Sequence, residues 1–141
     1  MATPTTASPL TPALEDFLEA MLELQDEVGT IRVTDLASRL RIAKPTATQT
    51  LARLKDLGLA HQENYGHAEL TDDGARRAEA VLKRHRLLRV FLSEVLGADA
   101  DTADREACAM EHALGTETIA RLEAFTAGFT HRTALPRRNA P

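Results

Sequence analysis

Apolar residues recur at helical spacing in six stretches of this chain and alternate in strand fashion in one. From Thr11, an N-cap hydroxyl followed by Pro12 at the first helical position, Leu14, Phe17, Leu18, Met21 and Leu22 mark a helix that stops at Gly29. Arg32 and Val33 predict a short strand, after which Thr34 is expected to cap a helix through Asp35, Leu36, Ala37 and Leu40. The connection Arg41-Ile42-Ala43 leads to a helix that opens on Lys44-Pro45, turns Ala47, Leu51 and Leu54 inward, and ends at Gly58. Two short helices joined by a tight turn, the second starting with Pro and polar residues, form a helix-turn-helix. Leu59–Glu63 and His67–Leu70, separated by Asn64-Tyr65-Gly66, predict a β-hairpin, and a hairpin directly after a helix-turn-helix is a wing.

Thr71-Asp72-Asp73 caps a long helix from about Gly74 to Leu96, with Ala78, Val81, Leu82, Leu87, Leu88, Phe91, Leu92 and Val95 as its stripe. Gly97 stops it. A further helix starts at Asp101 or Thr102 and runs to Leu114, and a last one is capped by Thr116 and carries Ile119, Leu122 and Phe125. The expected organisation is a disordered lead-in over 1–10, a winged-helix unit over 11–73, a linking helix with a second helical unit over 74–128, and a flexible basic tail over 129–141.

Composition narrows the class. Aromatic residues make up 4% and Trp is absent, so a core must come from Leu, Ala and Val, which favours a mostly α fold. Cys108 is the only cysteine, which excludes an intramolecular disulfide framework. The N-terminus has neither the basic start nor the apolar core of a signal peptide, and no run of about 18 apolar residues occurs. These features predict a soluble, cytoplasmic protein without membrane contact. The formal net charge of −4 argues against a nucleic-acid binder until its distribution is considered. Between Ile31 and Ala60, Arg32, Arg39, Arg41, Lys44, Arg53 and Lys55 face only Asp35 and Asp56, a local charge of +4. The acids concentrate instead near the start of the chain and between Asp99 and Glu111.

Three features bear on chemistry. On the first helix, Glu15, Asp16, Glu19 and Glu23 fall on the arc opposite Leu14, Leu18 and Met21, which is either a solvated acidic face or a source of carboxylate ligands. His85 stands in the basic and apolar run LKRHRLLRVF, where a lone histidine is more often structural than ligating. In CAMEHAL, Cys108, Glu111 and His112 stand at i, i+3 and i+4, so thiol, carboxylate and imidazole project from one side of a helix. That donor set suits a first-row transition metal rather than Ca²⁺ or Mg²⁺.

Taken in order, KPTATQTLARLKDLGL, RHRLL and EACAMEHAL resemble the diphtheria toxin repressor family of iron- and manganese-dependent regulators, over residues 12 to about 127. The resemblance implies a homodimeric, metal-activated transcriptional repressor that binds a double-stranded DNA operator, with a helical dimerisation domain after the winged helix. It implies metal ligation by Asp16, Glu19, His85, Cys108, Glu111 and His112. Position in the helix-turn-helix, with side chains near the start of the second helix reaching base edges and neighbours gripping phosphate, marks Arg32, Ala43, Lys44, Pro45, Thr46, Thr48, Gln49 and Arg53 for DNA contact. Asp16 and Glu19 match the manganese-sensing branch, which holds a pair of ions, whereas Cys108 matches the iron-sensing branch. The expected cofactor is therefore Mn²⁺, with Fe²⁺ a close second and two ions per subunit. At the accessory site of the iron branch this chain carries Asp104 and Arg89, and a cation at Arg89 opposes a metal there. The chain also resembles the short members without an SH3-like domain.

The alternatives are a winged-helix regulator answering to an organic ligand or to oxidation of Cys108, and a small metalloenzyme. Redox control requires an accessible thiol of low pKa. An enzyme would leave the helix-turn-helix unexplained and lacks a convincing additional base, so the chain is not expected to be an enzyme.

Overall fold

The computed structural model describes residues 10–63 and 66–133. The chain divides after Ala80 into two compact units.

In the first unit, α1 (Pro12–Val28) begins and ends where its punctuation dictates. Thr11 stays extended while its Oγ1 accepts a hydrogen bond from the Leu14 amide at 3.3 Å, and Gly29 closes the helix at φ 82°, a conformation that glycine adopts without penalty. Strand β1 (Ile31–Arg32) starts one residue earlier than expected, and α2 (Val33–Leu40) already includes Val33, with no side-chain cap from Thr34. The shift follows from burial: Ile31 is the residue taken into the core, and it pairs with Ala68.

α2 and α3 (Lys44–Asp56) are joined by a tight turn. The Ile42 amide donates to the Ala37 carbonyl at 3.0 Å and the Arg41 amide to the Ser38 carbonyl at 3.3 Å, the paired bonds of a Schellman cap. Arg41 occupies the left-handed position at φ 55° that such a cap requires, the one non-glycine residue with positive φ among those described. The hairpin strands β2 (Ala60–Gln62) and β3 (His67–Leu70) are antiparallel, with β1 on the other edge of β3, giving the order β1-β3-β2. Ala60 and Ala68 are buried, while His61, His67 and Glu69 face solvent. Of the predicted turn, Asn64 and Tyr65 lie outside the described residues.

Phe17, Leu18 and Met21 of α1, Leu36 of α2, and Ala47, Leu51 and Leu54 of α3 are essentially inaccessible and form the centre of this unit. Burying each large side chain stabilises the fold by about 1.5–3 kcal/mol. On the surface, Arg39 of α2 ties the two helices together, donating to Glu23 at 2.8 Å and to Glu27 of α1. The hydrogen bond from Arg39 holds the Glu27 carboxyl below its ordinary pKa, and the same bond raises that of Arg39.

α4 (Asp72–Val90) starts on the hairpin side. Thr71 Oγ1 accepts from the Gly74 amide at 3.1 Å and donates to the Gly58 carbonyl at 2.7 Å. Gly74 is obligatory for this approach, because a Cβ there would stand 1.8 Å from the Leu59 carbonyl oxygen.

The second unit comprises the rest of α4, a π-helical turn over Phe91–Val95, α5 (Ala100–Glu111) and α6 (Thr116–Thr133). The stripe expected to continue as α-helix to Leu96 instead widens in its last turn, where the Leu96 amide bonds to the Phe91 carbonyl at 3.2 Å. Over a single turn, hydrophobic spacing does not separate the two geometries. α5 starts one to two residues before the expected position, because Asp99 is the acceptor that reaches the Thr102 amide, at 2.8 Å. The bonds from the Thr102 amide and hydroxyl hold the Asp99 carboxyl below its ordinary pKa. α5 ends at Glu111, short of the expected Leu114, with His112 at its C-cap.

Thr116 is already the first residue of α6, with the Ile119 amide bonded to the Gly115 carbonyl at 3.0 Å, so Gly115 rather than Thr116 stands before the helix. α6 also continues past Gly128 to Thr133, since one glycine costs a helix only about 1 kcal/mol. The lead-in over 1–9 and the tail over 134–141 lie outside the described residues. Leu88, Leu92, Ala103, Ala107 and Ile119 form the core of this unit, edged by Phe91, Met110, Leu114 and Leu122.

Candidate metal centre and nucleic-acid interface

The surface expected to meet DNA is built by the inward turn of Ala47, Leu51 and Leu54. That choice of buried face leaves Lys44, Pro45, Thr46, Thr48, Gln49 and Arg53 of α3 exposed, with Ala43 exposed at its N-cap and Arg32 exposed at the end of β1. Thr48 Oγ1 donates to the Lys44 carbonyl at 3.0 Å, so its proton is committed within the helix while its methyl and lone pairs remain outward. A groove of about 430 Å³ is lined by Arg32, Lys44 and Thr48 together with Gln62, Gly66 and His67 of the hairpin. Gln62 and His67 were not among the residues expected from sequence. Their signal is the alternation with buried Ala60 and Ala68, which turns His67 to the outer face and leaves Gln62 half-buried at the groove.

Asp16 and Glu19 lie one turn apart on α1 and are both half-buried, whereas Gln25 to Val28 on the same helix are exposed. The acidic arc is therefore not uniformly a solvated face.

The second unit brings the other four expected ligands together. Cys108, Glu111 and His112 project from the end of α5 and offer ligand atoms within 4.8 Å of one another. α4 supplies His85, whose Nδ1 lies 3.5 Å from Glu111 Oε2, and His112 Nε2 lies 3.3 Å from Glu111 Oε1. Glu111 is 1% exposed, and neither of its carboxylate oxygens accepts a hydrogen bond from any described residue. The two imidazole contacts have ion-pair distance without hydrogen-bond geometry. A buried carboxylate left in this condition is unfavourable by several kcal/mol, and a cation between it and the imidazoles removes the penalty. Thiol, carboxylate and imidazole are donors that suit a first-row divalent ion, so the residues present fit a metal.

On the far side of His85, Nε2 stands 3.2 Å from Asp104 Oδ1, which is also 3.6 Å from the Arg89 guanidinium. Asp104 and Arg89, the two departures at the accessory position, thus pair with each other beside His85. Among the described residues, no helix is long and apolar enough to cross a membrane.

Residues 9–68 match the family model for the N-terminal DNA binding domain of iron dependent repressors, and residues 71–134 match the model for their metal binding and dimerisation domain. An uncharacterised helix-turn-helix transcriptional regulator of Methanocaldococcus jannaschii is 36% identical over 121 residues, covering 85% of this chain and 97% of that protein. The transcriptional regulator MntR of Salmonella typhimurium is 35% identical over 113 residues, covering 80% of this chain and 71% of that one. A solved manganese-dependent transcriptional repressor in complex with manganese superposes with a TM-score of 0.75 at 32% identity over 81% of this chain, which spans 52% of that chain's length. Transcription regulation, and not enzymatic turnover, is the activity these relatives share. With both domain models matched in order along nearly all of its helices and strands, this chain belongs to the iron-dependent repressor family of transcription regulators.

Proposed function

We propose that the protein is a cytoplasmic, homodimeric repressor of metal-uptake genes, activated by Mn²⁺ and next by Fe²⁺, with residues 11–73 binding DNA and 74–128 binding metal and dimerising. The observation that carries the metal reading is Glu111, a carboxylate that is 1% exposed, accepts no hydrogen bond from a described residue, and is flanked by Cys108, His85 and His112. The full ligand set is that of the family resemblance: Asp16, Glu19, His85, Cys108, Glu111 and His112. A divalent cation supplies the positive charge that these acids lack, and two such ions would bring the formal charge of −4 to zero.

Because the set draws on α1 as well as α4 and α5, ligation restrains the DNA-reading unit and narrows the spacing of the two recognition helices in a dimer. Metal-binding free energy thereby becomes affinity for a two-fold-symmetric operator. At the operator, Lys44, Arg53 and Arg32 grip phosphate, Gln49 addresses adenine, and Ala43, Pro45, Thr46 and Thr48 supply apolar contact with thymine methyls or hydroxyl contact with the backbone.

The test is DNA binding, on duplexes selected from a random pool, titrated in parallel with Mn²⁺, Fe²⁺ and Zn²⁺ and reversed with chelator. Activation in the order Mn²⁺, Fe²⁺, then Zn²⁺ is expected. Binding indifferent to all three ions would overturn the reading.

A further inference from the structure

We propose that Asp104 is the positioning residue of the metal centre: it holds His85 as the tautomer protonated on Nε2, so that the Nδ1 lone pair is aimed at the pocket beside Glu111. The inference rests on the metal reading above and deepens it. Asp104 and Glu111 stand seven residues, or two turns, apart on the same face of α5, and His85 from α4 lies between them. Its Nε2 is 3.2 Å from Asp104 Oδ1 and its Nδ1 is 3.5 Å from Glu111 Oε2.

A carboxylate oxygen only accepts, so the hydrogen bond to Asp104 requires the proton on Nε2. In the neutral ring this leaves Nδ1 as a lone pair. That lone pair then faces a carboxylate oxygen, two acceptors at 3.5 Å, an arrangement that a cation satisfies and a proton on Nδ1 would not need. Burial separates the two carboxylates. Asp104 is 59% exposed and outside the groups of atoms close enough to share an ion, whereas Glu111 is 1% exposed and inside them.

Arg89 completes the device. Its guanidinium, 3.6 Å from the same Asp104 oxygen, offsets the charge of Asp104, so the outer side of His85 lacks the net negative charge that would draw a metal to Nε2, and ligation is left to Nδ1. Outer carboxylates of this kind fix ring orientation, and removing one costs about 10–100-fold in metal affinity.

The test uses the full chain labelled with ¹⁵N-histidine, free of metal and above pH 8, with the His85 ring signals assigned by their loss in His85→Gln. The expected result is a ring protonated on Nε2 in the wild type, a mixture of tautomers in Asp104→Ala, and retention of the Nε2 tautomer in Asp104→Asn, whose amide oxygen accepts the same bond. Mn²⁺ affinity, read from the electron paramagnetic resonance of the free ion, is expected to fall about 10–100-fold in Asp104→Ala and much less in Asp104→Asn. A wild-type ring protonated on Nδ1, or an Asp104→Ala protein with unchanged tautomer and affinity, would overturn the inference. Failure of the wild type to bind Mn²⁺ at all would instead overturn the reading on which it rests, whatever the tautomer.

Discussion

Helices α3 and α5 carry polar groups in opposite ways. α3 gives its inner face to Ala47, Leu51 and Leu54 and leaves Lys44, Thr46, Gln49 and Arg53 in water, where solvent already satisfies them. α5 takes Glu111 to 1% exposure beside two imidazoles and a thiol and provides its carboxylate with no hydrogen-bond donor among the described residues. The first surface is competent as it stands and loses little by waiting for a partner. The second is disfavoured until a cation arrives, and in the proposed function that difference in resting energy makes α5, not α3, the place where a signal enters.

The contrast is sharpest at Glu111. Glu111→Met keeps the side-chain length and removes the buried charge, so metal-dependent DNA binding is expected to disappear. In chelator the variant should nonetheless be more stable than the wild type in chemical denaturation, because it buries no charge. A loss of stability without metal would mean that the carboxylate is satisfied in the resting protein, and the contrast between the helices would fail.

Substitutions on α3 should do the converse. Gln49→Ala is expected to relax base preference at one operator position by about 1–3 kcal/mol. Lys44→Ala should weaken binding to all duplexes alike and reduce the salt slope by about 1. Neither should alter Mn²⁺ affinity in the absence of DNA. A change in that affinity, measured by calorimetry, would place these residues in the metal response.

A smaller effect belongs to the turn that aims α3. Arg41 holds a left-handed conformation unfavourable by about 1 kcal/mol for a residue with a side chain, and Arg41→Gly should raise the unfolding temperature by a few degrees. A fall would show that the arginine side chain contributes more than its backbone loses.

The smallest effect concerns Asp99 at the start of α5. Its carboxyl is held below its ordinary pKa by the Thr102 amide and hydroxyl, so the stabilisation is present above the ordinary carboxylate range and is lost as pH falls through the lowered value. Asp99→Ala should therefore unfold at lower temperature than the wild type at pH 7, with the gap closing in acid. A gap independent of pH would exclude the cap as its source.

Residue type and spacing disclosed most of this architecture because the punctuation is local. Thr11-Pro12 and Gly29 bound α1, Gly66 of the hairpin turn supplies a positive φ, and Thr71 caps the start of α4 with its own hydroxyl. The signals that failed are those decided by competition between neighbours. Asp99 and Asp101 are equally good acceptors on paper, and only the fold selects Asp99. Thr34 has a capping side chain, but burial of Ile31 moves the strand and helix past it.

At the candidate metal centre, the i, i+3, i+4 spacing announced Cys108, Glu111 and His112 on one side of a helix, while the patterns around Asp16, Glu19 and His85 fitted a structural role equally well and only the family resemblance read them as ligands. Spacing carries no information about burial, so the isolation of Glu111 was invisible. The bond from His85 to Asp104 joins residues nineteen apart in the chain, and no local pattern signals it.

In the proposed function, metal occupancy sets DNA affinity. Its most direct measurement is fluorescence anisotropy of a selected duplex at fixed ionic strength, with the protein first in chelator and then in excess Mn²⁺. A gain in affinity of about tenfold or more is expected with Mn²⁺, reversed by chelator and absent in Glu111→Met. Equal affinity in both conditions would contradict it.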